Sequence, residues 1–208
     1  MAKTKTLIIG AANNYDWDKL KYWVNSINAS GYTGDVTLVA TNISGETIQK
    51  LTENGVSVSA YGNKTDDGGF RNNSPNAPHV ERFFWIWNTL KGLDYEQVIV
   101  TDTRDVIFQS DPEQLVEYYL DHRLFLASSE GLQYKNEPWG LGNIRDTFGP
   151  FFTKDLEEAL IMNVGVLAGR KSYVQDMLLM IFQMSLGRPI PITDQAVYNF
   201  LINTKPWD

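Results

Sequence analysis

The 208-residue chain has no cysteine and only two histidines, His79 and His122. That excludes a disulfide framework, a zinc-thiolate site, a thiol nucleophile and an iron–sulfur cluster, and two imidazoles cannot build a multi-histidine cage. Any metal must therefore be held mainly by carboxylates, which suit magnesium, manganese or calcium. Positive charge is also scarce: 18 Lys and Arg against 25 Asp and Glu leave a formal charge of −7 and a pI near 4.9. A nonspecific nucleic-acid binder is not expected from such a chain, and an anionic ligand would need a local cationic device. No stretch approaches the ~18 uninterrupted apolar residues of a membrane span, and the opening MAKTKTLIIGAANN lacks the apolar run of a signal peptide. A soluble, cytoplasmic protein is the expectation. The four Asn-x-Ser/Thr sequons, at Asn28, Asn42, Asn63 and Asn72, would matter only in a secretory protein. Neither histidine belongs to a constellation with a nearby serine that would support a triad hydrolase.

What is present is apolar substance, 43% hydrophobic and 12% aromatic, enough for one globular domain over residues 1–208 and too much for disorder. TLIIG (residues 6–10) reads as a buried strand opening into a loop, followed by a helix from Trp17 to about Ala29. GDVTLVAT from Gly34 to Thr41 reads as a second strand. Ser44 with Thr47 to Leu51 reads as a capped helix, and VSVSAYG as a third strand. GNKTDDGGFRNNSPNAP, between Gly62 and Pro78, is rich enough in Gly, Asn, Asp and Pro to predict a long loop. Helical spacing of Phe83, Ile86, Trp87 and Leu90 predicts a helix from His79 to about Lys91, leading into the buried strand Val98 to Thr101. Helix into parallel strand is an α/β signature. A proline-started helix (Pro112 to Leu120) and a strand (Leu124 to Ala127) follow, then an irregular stretch from Ser128 to Phe151. A strand (Met162 to Gly169) and two helices (Ser172 to Leu186, and about Thr193 to Ile202) complete the order. No repeat or linker marks a domain boundary.

The segment richest in chemistry is VIVTDTRDVIFQSDP, where a buried strand delivers Asp102, Arg104 and Asp105 as it leaves the sheet. Ligands of open α/β sheets bind beyond the carboxyl ends of the strands. Two carboxylates there can share a divalent cation that neutralises a pyrophosphate, and Arg104 can pair with carboxylate or phosphate. Equally, Asp102 and Asp105 can cap a turn and pair with Arg104. The helix from His79 must run antiparallel to the following strand, which brings Arg82 to the edge where Asp102 emerges. A cation near a helix start is unfavourable for the macrodipole, so Arg82 calls for an anionic partner such as phosphate or Asp102, the plainer alternative being a solvated surface arginine.

DTRDVIFQSDP resembles the Asp-x-Asp signature of nucleotide-sugar-dependent glycosyltransferases of the GT-A fold, in a variant with an extra residue between the aspartates. MNVGVLAG from Met162 is similar to the Asn-x-Gly strand of the glycogenin-like and lipopolysaccharide galactosyltransferase group, and TDQAVYNFLI from Thr193 to its Asp-Gln-x-x-x-Asn helix. The matches run in order over residues 82–202. The resemblance implies a Rossmann-like, mostly parallel sheet flanked by helices, and transfer with retention from a nucleotide-diphosphate sugar, expected to be a UDP-sugar, to a glycan, lipid or protein hydroxyl. It also implies Mn²⁺ or Mg²⁺ held by Asp105 and Asp102, the latter at the metal or the ribose. Arg82 would face the donor phosphates or sugar, Asn163 the donor sugar or acceptor, and Asp194 with Gln195 the anomeric carbon. Ala11, Ala12, Asn13 and Tyr15 would border base and ribose. The group's third metal ligand, a histidine after the Asp-Gln helix, has no counterpart before Asp208, so that ligand is expected in a truncated C-terminal part, replaced by water, or unnecessary.

Plainer roles stand beside these. Asn163 can satisfy sheet-edge backbone, and Thr193 or Asp194 can cap a helix. Tyr134, Trp139, Phe148, Phe151 and Phe152 can stack on a sugar or simply pack. Glu130 and Glu137 are candidates for acceptor binding or a base, or are exposed loop carboxylates. A sugar nucleotidyltransferase is disfavoured because GAANNYD has one glycine and no basic residue, and a glycosidase because Asp102 and Asp105 are too local to flank a glycosidic bond. A noncatalytic nucleotide- or carbohydrate-binding module is the remaining alternative.

Overall fold

A computed structural model describes residues 6–204; the leading MAKTK and the closing KPWD, which carried the expectations about a leader and the missing histidine, lie outside the described residues. In chain order the elements are β1 (Thr6–Asn13), α1 (Trp17–Ala29), β2 (Asp35–Thr41), α2 (Gly45–Glu53), β3 (Val56–Tyr61), β4 (Asn63–Lys64), β5 (Phe70–Arg71) and α3 (Pro78–Lys91). They continue with β6 (Gln97–Asp102), α4 (Pro112–Leu120), β7 (Phe125–Gln133), a 3₁₀ turn (Tyr134–Asn136), α5 (Pro138–Phe148), α6 (Pro150–Leu156), β8 (Leu160–Arg170), α7 (Lys171–Ser185) and α8 (Asp194–Thr204). Six strands form one sheet in the order β3-β2-β1-β6-β8-β7. β1, β2, β3 and β6 are parallel, β8 runs against β6, and β7 runs against β8. The chain is thus an α/β domain built on a mostly parallel sheet flanked by helices.

Alternation along the strands sorts the core into two layers. Leu7, Ile9, Val98 and Val100 point to the face covered by α3, α7 and α8, where Phe83, Ile86, Leu178 and Val197 are buried. Ile8, Leu38, Ala40 and Ile99 point to the opposite face, covered by Leu20, Trp23 and Ile27 of α1 and Val116 and Leu120 of α4. Because β1 is buried on both sides, it reads as a continuous apolar run with no polar alternation. The caps are local: the Asp16 carboxylate accepts from Lys19 N at 3.0 Å, and Ser44 Oγ from Thr47 N at 3.2 Å.

Two expectations are corrected. The Gly62–Pro78 segment is not featureless: β4 and β5 pair as a small antiparallel ribbon, and Ile43 bridges to Phe70. Asp67 ties that ribbon to the start of α2 by accepting from Gly45 N. The stretch from Ser128 to Phe151, expected to be irregular, holds the outer half of β7, the 3₁₀ turn and α5, and runs into α6. Prolines begin α5 and α6, and Gly149 adopts φ 88° between them. They pack through Tyr134, Ile144, Leu156 and Ile161.

Candidate functional site

β1 is the point where chain order reverses, β2 lying on one side and β6 on the other. Beyond the carboxyl ends of these strands lies a cleft of about 330 Å³, a size ordinary for small-molecule sites. Its walls include Ala11, Ala12, Asn13 and Tyr15 after β1, Arg82 of α3, and Asp102, Arg104 and Asp105 after β6. These eight expected residues therefore meet at one edge. Register explains part of this: Ala11 pairs with Asp102, and Asn13 with Thr41, whose hydroxyl accepts from Asn13 Nδ2 at 2.7 Å. Thr103 closes the floor by donating to the Ala11 carbonyl at 3.0 Å.

Arg82 does find anionic partners, and it finds two. Nη1 donates to Asp102 Oδ1 and Nη2 to Asp194 Oδ2 at 3.0 Å, with the Asp194 side chain only 5% exposed. A buried carboxylate of this kind requires a paired cation. Asp194 is the first residue of α8, and the bond recorded for its carboxylate is the one to Arg82. Arg104 and Asp105 are exposed on the cleft wall, and among the described residues neither forms an ion pair. An internal turn pairing Asp102 and Asp105 with Arg104 is thus not what the structure contains.

Asn163, Asp194 and Gln195 lie outside that cleft wall; Asp194 pairs with Arg82, and the other two meet at Glu130. Asn163 Oδ1 accepts from Gly165 N at 2.7 Å, which is the backbone role, while its Nδ2 donates to Glu130 Oε1 at 3.1 Å. Gln195 Nε2 donates to the same Glu130 oxygen at 3.1 Å. Gly165 lies between the two halves: a Cβ there would fall 2.6 Å from Asp102 Oδ2 and 2.8 Å from Asn163 Oδ1. Asp194, Arg82 and Asp102 thus form one linked set and Asn163, Glu130 and Gln195 a second; Gly165 lies between them, and Asp194 and Gln195 are consecutive. Asn199, fully buried, fixes α8 to β8 by accepting from Met162 N at 2.7 Å and donating to Met162 O at 2.8 Å. Its spacing from Gln195 was visible in the sequence, but its structural role emerges from the β8 contact.

The remaining candidates separate. Glu137 accepts from Trp139 N and Gly140 N as the N-cap of α5. Tyr134 is 1% exposed, and Phe148 and Phe152 pack on Phe200, so these three are core; Trp139 and Phe151 stay exposed. Burial first, then the negative charges of Glu130 and Glu137, hold the Tyr134 phenol above its ordinary value of 10.

Among the described residues no group of three His, Asp or Glu side chains is placed to cage a cation. Asp102 and Asp105 both line the cleft, Asp102 with Oδ1 already taken by Arg82 Nη1. No described helix is long and apolar enough to cross a membrane.

No family model and no curated protein matches the chain. Among solved structures it is similar to the apo form of the glycosyltransferase GlyE of Streptococcus pneumoniae TIGR4, at 15% identity and TM-score 0.55, over 97% of this chain and 44% of that one. A second GlyE structure matches at 16% identity and TM-score 0.51, over 95% of this chain and 43% of that one. The likeness is one of fold, a glycosyltransferase fold, and the chain spans less than half the length of those proteins.

Proposed function

We propose that the chain is a metal-dependent glycosyltransferase domain of the GT-A type that moves a sugar from a nucleotide-diphosphate donor, a UDP-sugar, to a hydroxyl acceptor with retention. The observation that carries this reading is the charge balance at the cleft. Arg82 is already shared by Asp102 and Asp194, and Asp105 stands uncompensated beside them, so formal carboxylate charge outnumbers the two arginines. A diphosphate enters such an edge only in company with a cation.

Asp102 and Asp105 would hold that cation, which when bound supplies Lewis-acid stabilisation of the leaving diphosphate. The chain's own residues do the rest. Asn13 and Tyr15 border base and ribose, Arg82 orients Asp102 and Asp194, and the Asn163–Gln195 side lies where the sugar would project. Arg104, exposed on the wall and without an ion pair among the described residues, adds positive charge towards the phosphates.

Calorimetric titration with UDP, GDP and their hexose conjugates, with Mn²⁺ and then with EDTA, tests the proposal. UDP binding that requires Mn²⁺ is expected, and Asp105→Ala, at an exposed loop position, removes it without changing the melting temperature. Binding that ignores both EDTA and Asp105→Ala refutes metal dependence. A folded chain that binds no nucleotide refutes the donor assignment and favours a noncatalytic module.

A further inference from the structure

One buried carboxylate on the cleft wall has no cation. Glu81, in the first turn of α3, is only 7% exposed and lines the cleft, and among the described residues no Lys or Arg pairs with it. Its one hydrogen bond there is accepted at Oε2 from Asn72 Nδ2 at 3.3 Å, which leaves Oε1 without a protein donor. A buried carboxylate oxygen in that state is costly, so the site calls for a donor from a ligand. Contacts fix which half of the cleft this is. Glu81 and Arg82 are consecutive but diverge: Arg82 turns to Asp102 of β6 and Asp194 of α8, whereas Glu81 is tied through Asn72 to the loop after β2, where Asn42 Oδ1 accepts from Asn72 N at 2.9 Å. Trp85, one turn on from Glu81 and also on the wall, stacks on Tyr61 of β3 with ring centroids 4.3 Å apart. Since β2 and β6 flank β1, the two ends of the cleft lie two strand spacings apart, about 9–10 Å, which is of the order of a nucleoside's length. The β6 end carries both arginines of the wall, with Asp102 and Asp105. The β2 end carries Val39, Thr41, Glu81 and Trp85, a carboxylate with no Lys or Arg to offset it, and so repels phosphate.

We infer that Glu81 selects the donor's base, its Oε1 accepting the N3–H of uracil; this rests on the nucleotide-sugar reading above. A carboxylate only accepts, so the base must present an N–H to it. With Oε2 held by Asn72, one acceptor is free, and uracil offers a single donor on its pairing edge. Guanine offers two adjacent donors, N1–H and the N2 amino group, and needs both oxygens of a carboxylate. The Thr41 hydroxyl beside Glu81 already accepts from Asn13 Nδ2, so it is not the acceptor that lacks a partner. A base without the N–H leaves Glu81 buried and unpaired, and a site built to hydrogen-bond a group rejects the analogue that lacks it.

A cycle of one side chain against one ligand group tests this. The full chain and Glu81→Ala are titrated calorimetrically, with Mn²⁺, against UDP, N3-methyl-UDP, 2′-deoxy-UDP and 3′-deoxy-UDP. For the wild type, N3-methylation should weaken binding by about 10- to 100-fold, the range of a hydrogen bond to a charged group. In Glu81→Ala the two ligands should bind within about threefold of each other, while each deoxy analogue keeps the penalty it has in the wild type. The ratio of affinities within one preparation does not depend on its folded fraction. Should Glu81→Ala fail to fold, Glu81→Leu fills the site with an apolar side chain and carries the same comparison. An N3-methyl penalty that is equal in the wild type and the variant, or a wild type that binds both ligands within about threefold, overturns the inference and leaves the donor reading intact. A deoxy penalty that vanishes in the variant places Glu81 on the ribose and overturns the base assignment. A wild type that binds no UDP brings down the donor reading itself, and the inference with it.

Discussion

Gly165→Ala isolates the point where the two halves of the site touch. A Cβ at 165 would sit 2.6 Å from Asp102 Oδ2, 2.9 Å from Asp102 Cγ and 2.8 Å from Asn163 Oδ1, all inside normal contact distance. Either carboxylate or amide could swing away if it were loose, and the methyl would then cost little. Neither is loose: Arg82 holds Asp102 from the other oxygen, and Asn163 is bound to the Gly165 amide itself and to Glu130. Overpacking of a held site costs about 1–3 kcal/mol. At about 2–4 °C per kcal/mol for a chain of this length, the melting temperature should fall by roughly 2–12 °C. The displaced Asp102 should weaken Mn²⁺-dependent nucleotide binding by at least about tenfold, beyond what the remaining folded fraction accounts for. Differential scanning calorimetry and titration calorimetry on the same preparation read both quantities. A variant with unchanged melting temperature and unchanged binding refutes the argument that Arg82 and the Gly165 amide immobilise the two side chains.

Asn199→Ala strands the amide and carbonyl of Met162 in a buried setting and frees α8 from β8, so stability should fall by about 2–4 kcal/mol in denaturant unfolding. Tyr198 is buried, and its hydroxyl has no partner among the described residues. Tyr198→Phe should therefore match or exceed the wild type in stability by up to about 1 kcal/mol, and a clear loss in the same unfolding measurement would show a hidden hydrogen bond. Burial raises the phenols of Tyr32, Tyr134 and Tyr198 above their ordinary value of 10, so the folded chain keeps protons that the unfolded chain releases. Stability is accordingly unaffected by these groups below pH 10 and declines as pH rises above it, a slope that Tyr198→Phe should reduce in melting curves taken between pH 9 and about 11.

Sequence alone carried the α/β class, because buried strands such as TLIIG and VIVT are continuous apolar runs and the helices between them show helical spacing or clear caps. It also carried the cleft edge: Arg82 had to meet Asp102 once a short loop joined an antiparallel helix to β6, and the ion pair is present. The α5–α6 segment was illegible locally, since Gly140, Gly142 and Gly149 break its pattern, and its helices are held by proline starts, the Glu137 cap and packing on α8. Composition likewise marked residues 62–78 as loop but could not show the β4–β5 ribbon, whose pairing depends on contacts with Ile43 and Gly45 that no local signal encodes. The roles of Glu130, Gly165 and Asn199 were decided by tertiary structure for the same reason. Each depends on a partner more than 30 residues away across an antiparallel pair or a helix–strand contact, and local propensity carries no information about which distant group a side chain will face. Spacing determined which residues reach the sheet edge; the fold decided which of them touch.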